Sequence, residues 1–291
     1  MNESPENRCG APPDDDPHAG PLPWEGRAAR PVLIGTGSSP RGAVVLGGPT
    51  RIIAPIMGAT PEALAHEIAA LPGHPVDLVE WRVDPLLAAL PSGADPRAAV
   101  EEAWGLALSA SRLPVLATIR TVDEGGAAAL AAGEYARLVR LLARLADAVD
   151  VEIDREVAPE LIARAHAAGA VVVSSHHDFS ETPSDRVIHS TLTRMSGAGA
   201  DVLKIACRAN SPEDAVRLLA AQARARAELA RPLIVIGMGP LGALTRVAGS
   251  AMGSAATFAA VGSASAPGQF TVEETRAVLD LVEPDGPPWF G

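Results

Sequence analysis

Eight short apolar runs, many of them rich in β-branched residues, recur along the chain from Arg51 onward. A loop or a stretch with the Ala, Leu, Arg and Glu content and spacing of a helix follows each run, at intervals of roughly 30 residues, as in βα units. The runs are RIIAPIM, VDLVEWRVD, PVLATIR, AVDVEID, VVVSSHH, DVLKIAC, PLIVIGM and TFAAVG. Strands that alternate with helices indicate an α/β protein with a parallel sheet, and eight such units predict a (β/α)8 TIM barrel.

Helix-start signals support this interpretation. Thr60-Pro61 and Ser211-Pro212 each place a capping hydroxyl before a proline, which is favoured at the first position of a helix. Thr271 and Glu274 have the spacing of a capping box for the last helix. A doubly wound open sheet is the alternative, but its first strand usually leads into a glycine-rich GxGxxG turn, and IMGATPEA does not match that pattern.

The chain divides into two parts of unequal length. Residues 1–30 are rich in Pro, Gly and Asp and show no apolar periodicity, so we expect a disordered extension there. The runs PVLIGTG and GAVVLGG follow and predict a small hairpin that leads into the domain. We expect residues 31–291 to form the barrel domain.

Composition excludes several function classes. The net charge is −11 and the arginines form no long block, which argues against a nucleic-acid partner. No apolar stretch reaches the roughly 18 residues of a membrane span, and the N-terminal residues do not resemble a secretory signal. Cys9 and Cys207 provide neither a disulfide framework nor metal-ligand spacing. We therefore expect a cytoplasmic, reduced protein. An anionic small-molecule ligand is compatible with the net charge, because a local arginine cluster matters more to a site than the net charge does.

Lys204 is the only lysine of the chain, because every other basic residue counted among the 24 Lys and Arg residues is arginine. A lone strand lysine more often serves as a charge at a strand end. However, arginine would serve equally well in a salt bridge, whereas it stays protonated and cannot attack a carbonyl carbon. The retention of a single lysine in an apolar strand therefore favours a nucleophile that forms a Schiff base.

Polar side chains follow the predicted strands at the end where barrels carry their chemistry. A ring of such groups from consecutive strands is what a polar pocket above an apolar barrel requires. Its members are Glu80, Arg82, Asp84, Arg120, Glu124, Asp150, Glu152, Asp154, His176, His177, Asp178, Lys204, Met238, Arg246, Ser265 and Gln269.

Each of these groups also has a structural explanation. One of the adjacent histidines has to point away from the other in an extended segment, and either is as suited to a structural role as to proton transfer. Glu124 can be a solvated loop carboxylate, and the arginines can form ion pairs at the rim. Asp150 and Glu152 can ligate a metal, although no histidine or cysteine has matching spacing.

Seven segments of the chain resemble the type I 3-dehydroquinate dehydratases. The resemblance extends from about Arg51 to near Leu281, and all seven segments occur in the family's order. They are DLVEWRVD, PVLATIRTVDEGG, VDVEID, SSHHDFSETPS, GADVLKIA, MGPLGALTR and GSAATFAAVGSASAPGQ. The resemblance implies a TIM barrel, often dimeric, that needs no metal or cofactor and converts 3-dehydroquinate to 3-dehydroshikimate.

The resemblance also implies roles for particular residues. Lys204 matches the imine-forming lysine, His177 the general acid and base, and Glu124 the carboxylate that supports it. The remaining positions match substrate-binding residues: the hydroxyl-binding Glu80, Arg82 and Arg120, and the carboxylate-binding Arg246, Ser265 and Gln269. This chain departs from the family pattern at Pro55, where a serine is frequent, and in its N-terminal extension.

Two other functions share part of this residue set. A Schiff-base aldolase on the same barrel would use Lys204 but would not obviously require the arginines and Gln269. A catalytically silent binding protein would keep the barrel without needing the lysine, the histidine and the glutamate together. Neither the biosynthetic or catabolic role nor the expected homodimer is fixed by the sequence.

Overall fold

The computed structural model describes residues 30–36, 41–262 and 268–283. Eight parallel strands form one sheet. Their bounds are β3 Arg51–Ile56, β4 Leu78–Arg82, β5 Val115–Thr118, β6 Ala148–Glu152, β7 Val171–Asp178, β8 Val202–Arg208, β9 Leu233–Met238 and β10 Ala256–Phe258. Their order in the sheet is β10-β3-β4-β5-β6-β7-β8-β9. The amide of Ala255 donates to the Leu233 carbonyl at 2.8 Å and links the two outer strands. The sheet is thus a nearly closed barrel, and the predicted fold class is confirmed.

Helices connect the barrel strands and cover the outside of the barrel. They are α1 Pro61–Ala70, α2 Asp84–Ala88, α3 Pro96–Leu106, α4 Ala132–Leu145, α5 Ala158–Ala167, α6 Asp185–Gly197, α7 Pro212–Leu229, α8 Ala243–Val247 and α9 Val272–Val282. The predicted starts of three of them are confirmed. Thr60 caps α1, and capping boxes begin α7 at Ser211 and α9 at Thr271.

Side chains alternate between the two faces of each barrel strand, as strand geometry requires. The outward residues are large and apolar and pack under the helices; Trp81, Val149, Val151, Leu203 and Ile205 are examples. The inward residues near the start of each strand are also apolar. Farther along the strands, the inward positions become polar, and this change places the polar groups at the C-terminal end of the barrel.

A small hairpin closes the opposite end of the barrel. Its strands, β1 Val32–Ile34 and β2 Val44–Leu46, pair antiparallel. Ile34, Val44 and Leu46 are buried in the same cluster as the first inward residues of the barrel strands, which include Ile53 and Leu78. The predicted hairpin is therefore present, and it forms an apolar plug at the N-terminal end of the barrel.

The predicted extension, residues 1–30, lies outside the described residues except for Arg30, so its boundary stays a prediction. Arg30 itself donates its amide to the Ala230 carbonyl at 3.1 Å. Among the helices of the described residues, none combines the length and apolarity that a membrane crossing demands.

Candidate active site

Lys204 lies on the inner face of β8 and is almost fully buried, with 5% of its surface exposed. Its ammonium nitrogen is 3.4 Å from Glu80 Oε1 and 3.9 Å from Asp150 Oδ2. It also lies 4.3 Å from the centre of the Phe258 ring. The lysine therefore stands between two carboxylates and an aromatic face inside the barrel, at the level where the inward side chains become polar.

Arg120 connects the carboxylates of this region. Its Nη1 donates to Glu124 Oε2 at 2.8 Å and to Glu152 Oε1 at 3.3 Å, and its Nη2 donates to Asp150 Oδ1 at 2.9 Å. Ser175 Oγ accepts from Nη1 at 3.0 Å and donates to Asp150 at 2.6 Å. These carboxylates raise the pKa of the guanidinium against the opposing effect of burial. One buried cation thus fixes three carboxylates, one from the loop after β5 and two from β6.

His177 and Glu124 form a buried pair beside this arginine. His177 Nδ1 is 2.8 Å from Glu124 Oε2. Burial lowers the pKa of His177 well below 6.5, and the charges of Arg120, Lys204 and Arg82 add to that effect. Burial raises the pKa of Glu124 to about 8, helped by Glu152 and Asp150 and opposed by Arg120. Burial therefore disfavours the charged form of both partners, and the imidazole is neutral near pH 7.

The adjacent histidines point in different directions, as expected from strand alternation. His177 faces Glu124 inside the barrel, whereas His176 Nδ1 lies 2.5 Å from Asp154 Oδ2 at the protein surface. Asp154 also binds Arg194 of α6. His177 is thus the only one of the two that shares the pocket with Lys204.

Arg82 is held at the end of β4 by Asp84. Its Nε and Nη2 each donate to one Asp84 oxygen at 2.7 Å. Asp84 is buried and also accepts from the backbone amides of Arg120 and Ala127. Glu80, on the same strand, accepts from Thr118 Oγ1 at 3.0 Å. Both residues predicted to bind substrate therefore lie at the pocket with fixed orientations.

Arg246 lies on α8, the short helix after β9. Its Nε is buried and has no hydrogen-bond partner among the described residues, and burial lowers the pKa of the guanidinium. No carboxylate in residues 30–36, 41–262 or 268–283 lies within 4.0 Å of it. A buried arginine without an anion is poised for one supplied by a ligand.

The segment before α9 approaches the loop that leads to Arg246. A Cβ on Gly268 would lie 2.5 Å from the Gly239 carbonyl oxygen, so Gln269 follows a point of close contact with that loop. Ser265, the other predicted residue of this segment, lies outside the described residues. Pro55 lies on β3 beside Glu80 in the strand register.

Comparisons with known proteins decide the family. A profile of the type I 3-dehydroquinases matches residues 52–285. The 3-dehydroquinate dehydratase of Klebsiella pneumoniae is 41% identical over 240 residues, which cover 81% of this chain and 94% of that protein. That of Listeria welshimeri is 39% identical over 239 residues, or 81% and 93% of the two chains. The chain belongs to the type I 3-dehydroquinase family.

Solved structures of type I 3-dehydroquinases agree with this barrel. The enzyme from Clostridium difficile superposes with a TM-score of 0.78 at 32% identity, covering 88% of this chain and 98% of its own. The 3-dehydroquinate dehydratase of Geobacillus kaustophilus gives 0.76 at 35% identity, with 83% and 95% covered. Membership in this family makes the chain an enzyme of the lyase class, and the predicted resemblance is confirmed.

Several groups of this candidate site were not predicted from the sequence. Thr118, Ser175 and Phe258 lie around Lys204 and Arg120. Asp150 was predicted as a member of the polar ring and as a candidate metal ligand, but not as a neighbour of the lysine. Thr118 and Ser175 precede Arg120 and His177 by two positions, so strand alternation places them on the same inward face. That spacing is the signal that could have predicted Thr118 and Ser175.

Proposed function

We propose that this enzyme dehydrates 3-dehydroquinate to 3-dehydroshikimate through an imine on Lys204. The observation that carries the proposal is the position of the single lysine beside a neutral histidine. Ser175 pairs with Lys204 and His177 with Ala206 in the register of β7 and β8, so both side chains project inward from neighbouring strands. A nucleophile and a proton acceptor that share one buried pocket are the groups this elimination needs.

Imine formation uses Lys204 and its carboxylate neighbours. The ammonium of Lys204 first passes a proton to one of these carboxylates, and the free amine then attacks the C3 ketone of the substrate. His177 assists the resulting carbinolamine in losing water. The product is a protonated imine, and its positive charge falls beside Glu80 and Asp150. Asp150 Oδ2, which is buried without a hydrogen-bond partner among the described residues, faces this charge.

Elimination then proceeds through His177. The protonated imine withdraws electrons and makes the hydrogens on C2 acidic, and His177 removes one of them to give an enamine. The electron pair of the enamine expels the C1 hydroxyl group, which takes up the proton from His177 and leaves as water. Hydrolysis of the imine returns the free lysine and consumes the water released when the imine formed. The net change is the loss of one water molecule from the substrate.

The other residues hold the substrate. Arg246 supplies a charge for the carboxylate, assisted by Ser265 and Gln269, while Glu80 and Arg82 contact the ring hydroxyls. Arg120 orients the carboxylates around it. It also contacts the ring hydroxyls of the substrate. Glu124 orients His177 through Nδ1, which leaves Nε2 for the substrate.

The cellular setting follows from the same proposal. The reaction needs no metal or cofactor and serves either the shikimate pathway of aromatic amino acid biosynthesis or quinate breakdown. We place the enzyme in the reducing cytoplasm, where the buried Cys207 stays a free thiol. We also expect it to act as a homodimer, without a nucleic-acid or membrane partner.

Borohydride trapping tests the mechanism directly. Reduction in the presence of 3-dehydroquinate converts the imine to a stable amine, and intact-mass and peptide mass spectrometry should locate the added mass on Lys204. The matched control is Lys204→Arg, which preserves the charge but lacks a nucleophilic amine. This variant should keep the melting temperature within the range of wild type while its turnover falls below a tenth. Turnover of Lys204→Arg near that of wild type would exclude the imine.

A further inference from the structure

Three potential metal ligands converge beside the proposed active site, on the outer side of the His177–Glu124 pair. They are Glu124 from the loop after β5, Asp154 after β6 and His176 of β7. One ligand atom from each residue lies within 4.8 Å of the other two. A histidine and two carboxylates are a donor set that zinc accepts, usually with water in the remaining position.

The two oxygens of Glu124 have different surroundings. Oε2 is occupied by His177 and Arg120. Oε1 is buried and has no hydrogen-bond partner among the described residues. The residue as a whole is only 6% exposed. A buried carboxylate oxygen without a partner is costly, and a cation bound there would satisfy it.

A cavity of about 390 Å³ provides the room for an ion. Its lining includes all three residues, the carboxylates of Asp123 and Glu156, and Arg155, whose guanidinium lies 3.5 Å from Asp123. His176 and Asp154 are partly exposed, with 22% and 44% of their side-chain surfaces accessible. The cavity therefore offers access from the protein surface to Glu124, Asp154 and His176.

The simplest alternative to a metal site at these residues is a plain hydrogen bond between His176 and Asp154. Their 2.5 Å separation is shorter than the roughly 3.4 Å between two ligands of a tetrahedral zinc ion, so they have to move apart by a little under 1 Å. Arg194 holds the other oxygen of Asp154, so the movement falls mainly to the partly exposed side chain of His176. That bond alone does not account for the third ligand, which approaches from inside the barrel.

We propose that Glu124, Asp154 and His176 form a Zn²⁺ site that inhibits the enzyme when it is filled. Binding at His176 Nδ1 displaces the proton shared with Asp154, and this proton passes to solvent. The ion draws charge from Glu124, the residue that orients His177, and thereby weakens proton transfer at the substrate. The binding site stands on the geometry alone, whereas its inhibitory effect rests on the proposed function.

Zinc binding is measured by isothermal calorimetry on the full chain in a buffer that does not chelate metals. Wild type should bind one Zn²⁺ at this site. His176→Asn should weaken that binding by roughly tenfold or more, since losing a ligand costs at least as much as losing an outer-sphere partner. The matched control is His166→Asn, because His166 forms a similar pair with Asp201 at 2.8 Å that is not part of a three-ligand cluster among the described residues. This variant should bind zinc as wild type does.

Two results would overturn the site. The first is the absence of zinc binding to wild type, or equal affinities of wild type and His176→Asn. The second is binding lost in Cys9→Ser rather than in His176→Asn, which would assign the ion to the N-terminal segment. Calorimetry remains decisive even if 3-dehydroquinate proves not to be the substrate, so the two proposals fail separately.

The activity measurement tests inhibition. Zinc should lower kcat of wild type in the same concentration range in which it binds, and a chelator should restore it. His176→Asn should resist this inhibition while keeping most of its basal turnover. Binding at the site without any loss of turnover would overturn the inhibitory role.

Discussion

At the level of single residues, strand alternation separates two adjacent histidines into different environments, and their substitution should show it. We expect His177→Ala to form the imine but to stall at elimination, with turnover lowered by roughly 10²- to 10⁴-fold, the range for a lost acid–base group. His176→Ala should have a much milder effect. Single-turnover kinetics with borohydride trapping, in a buffer containing a chelator, measures both steps. A larger loss in His176→Ala would reverse the assignment.

The electrostatic surroundings of His177 predict the pH dependence. An imidazolium cannot accept the C2 proton, so activity falls when His177 becomes protonated. Because burial and three neighbouring cations hold its pKa well below 6.5, the basic form persists into acid solution. We expect the titration of His177 to lower kcat/KM only below pH 6.5. An acid limb centred near 6.5 would contradict this environment, whereas a limb near 8 would report Glu124, whose pKa burial raises to about that value.

Arg246 should act through the carboxylate of the substrate. Loss of a hydrogen bond to a charged group costs roughly 1.5–3 kcal/mol, and about 1.4 kcal/mol corresponds to a factor of ten. We therefore expect Arg246→Ala to lower kcat/KM roughly ten- to a hundredfold, and Arg246→Lys to lower it less, since lysine offers a point charge without a fork. Trapping at Lys204 should persist at saturating substrate.

The control for Arg246 is an analogue of 3-dehydroquinate that lacks the carboxylate. Wild type and Arg246→Ala should have almost equal kcat/KM for this compound, because neither can form the contact between Arg246 and a substrate carboxylate. An equal loss with both compounds would make Arg246 a structural charge of the rim.

At the level of elements, the strands and caps were predictable because their signals are local. Thr60 and Ser211 cap their helices through bonds that span three residues, and each predicted run became a strand. The network of Arg120 was not predictable in the same way. Its partners come from the loop after β5, from β6 and from β7, so only the register of three neighbouring elements brings them to one guanidinium.

A close backbone contact fixes the element that carries Arg246. A Cβ on Gly237 would lie 2.7 Å from the Gly242 Cα, so β9 and the turn before α8 touch without a side chain between them. Gly237→Ala should push α8 away, raise KM through Arg246 and cost about 1–3 kcal/mol of stability, as overpacking does. Urea unfolding and steady-state kinetics measure both effects.

Gly133→Ala is the matched control for that substitution. Gly133 lies in α4, and a Cβ there would meet nothing within 4 Å. Alanine should leave KM unchanged. It should raise the free energy of unfolding by at most about 1 kcal/mol, because alanine has a better helix propensity than glycine. Unchanged KM in Gly237→Ala as well would show that the position of α8 does not limit substrate binding.

At the level of the whole molecule, the barrel separates stability from chemistry along its axis. The single lysine indicated Lys204 as a nucleophile, the family resemblance assigned roles to His177 and Glu124, and the hydrophobic pattern predicted the barrel and the hairpin. The pattern did not say where the hairpin would pack, because the apolar ring that receives it forms only when the strands close. The plug and the proposed active site lie at opposite ends, which is the usual division of a TIM barrel.

This division predicts a variant that loses stability without losing activity. Leu46 is fully buried in the plug, whereas Leu33 of the same hairpin is 54% exposed. Leu46→Ala should cost about 2–5 kcal/mol, the range for a buried leucine, and lower the melting temperature by several degrees. Leu33→Ala, the control, should change it little. Below its unfolding transition, Leu46→Ala should retain the kcat/KM of wild type, because Lys204 and His177 lie at the other end of the strands. A loss of kcat/KM in the folded variant would show that the plug and the pocket are coupled through the barrel.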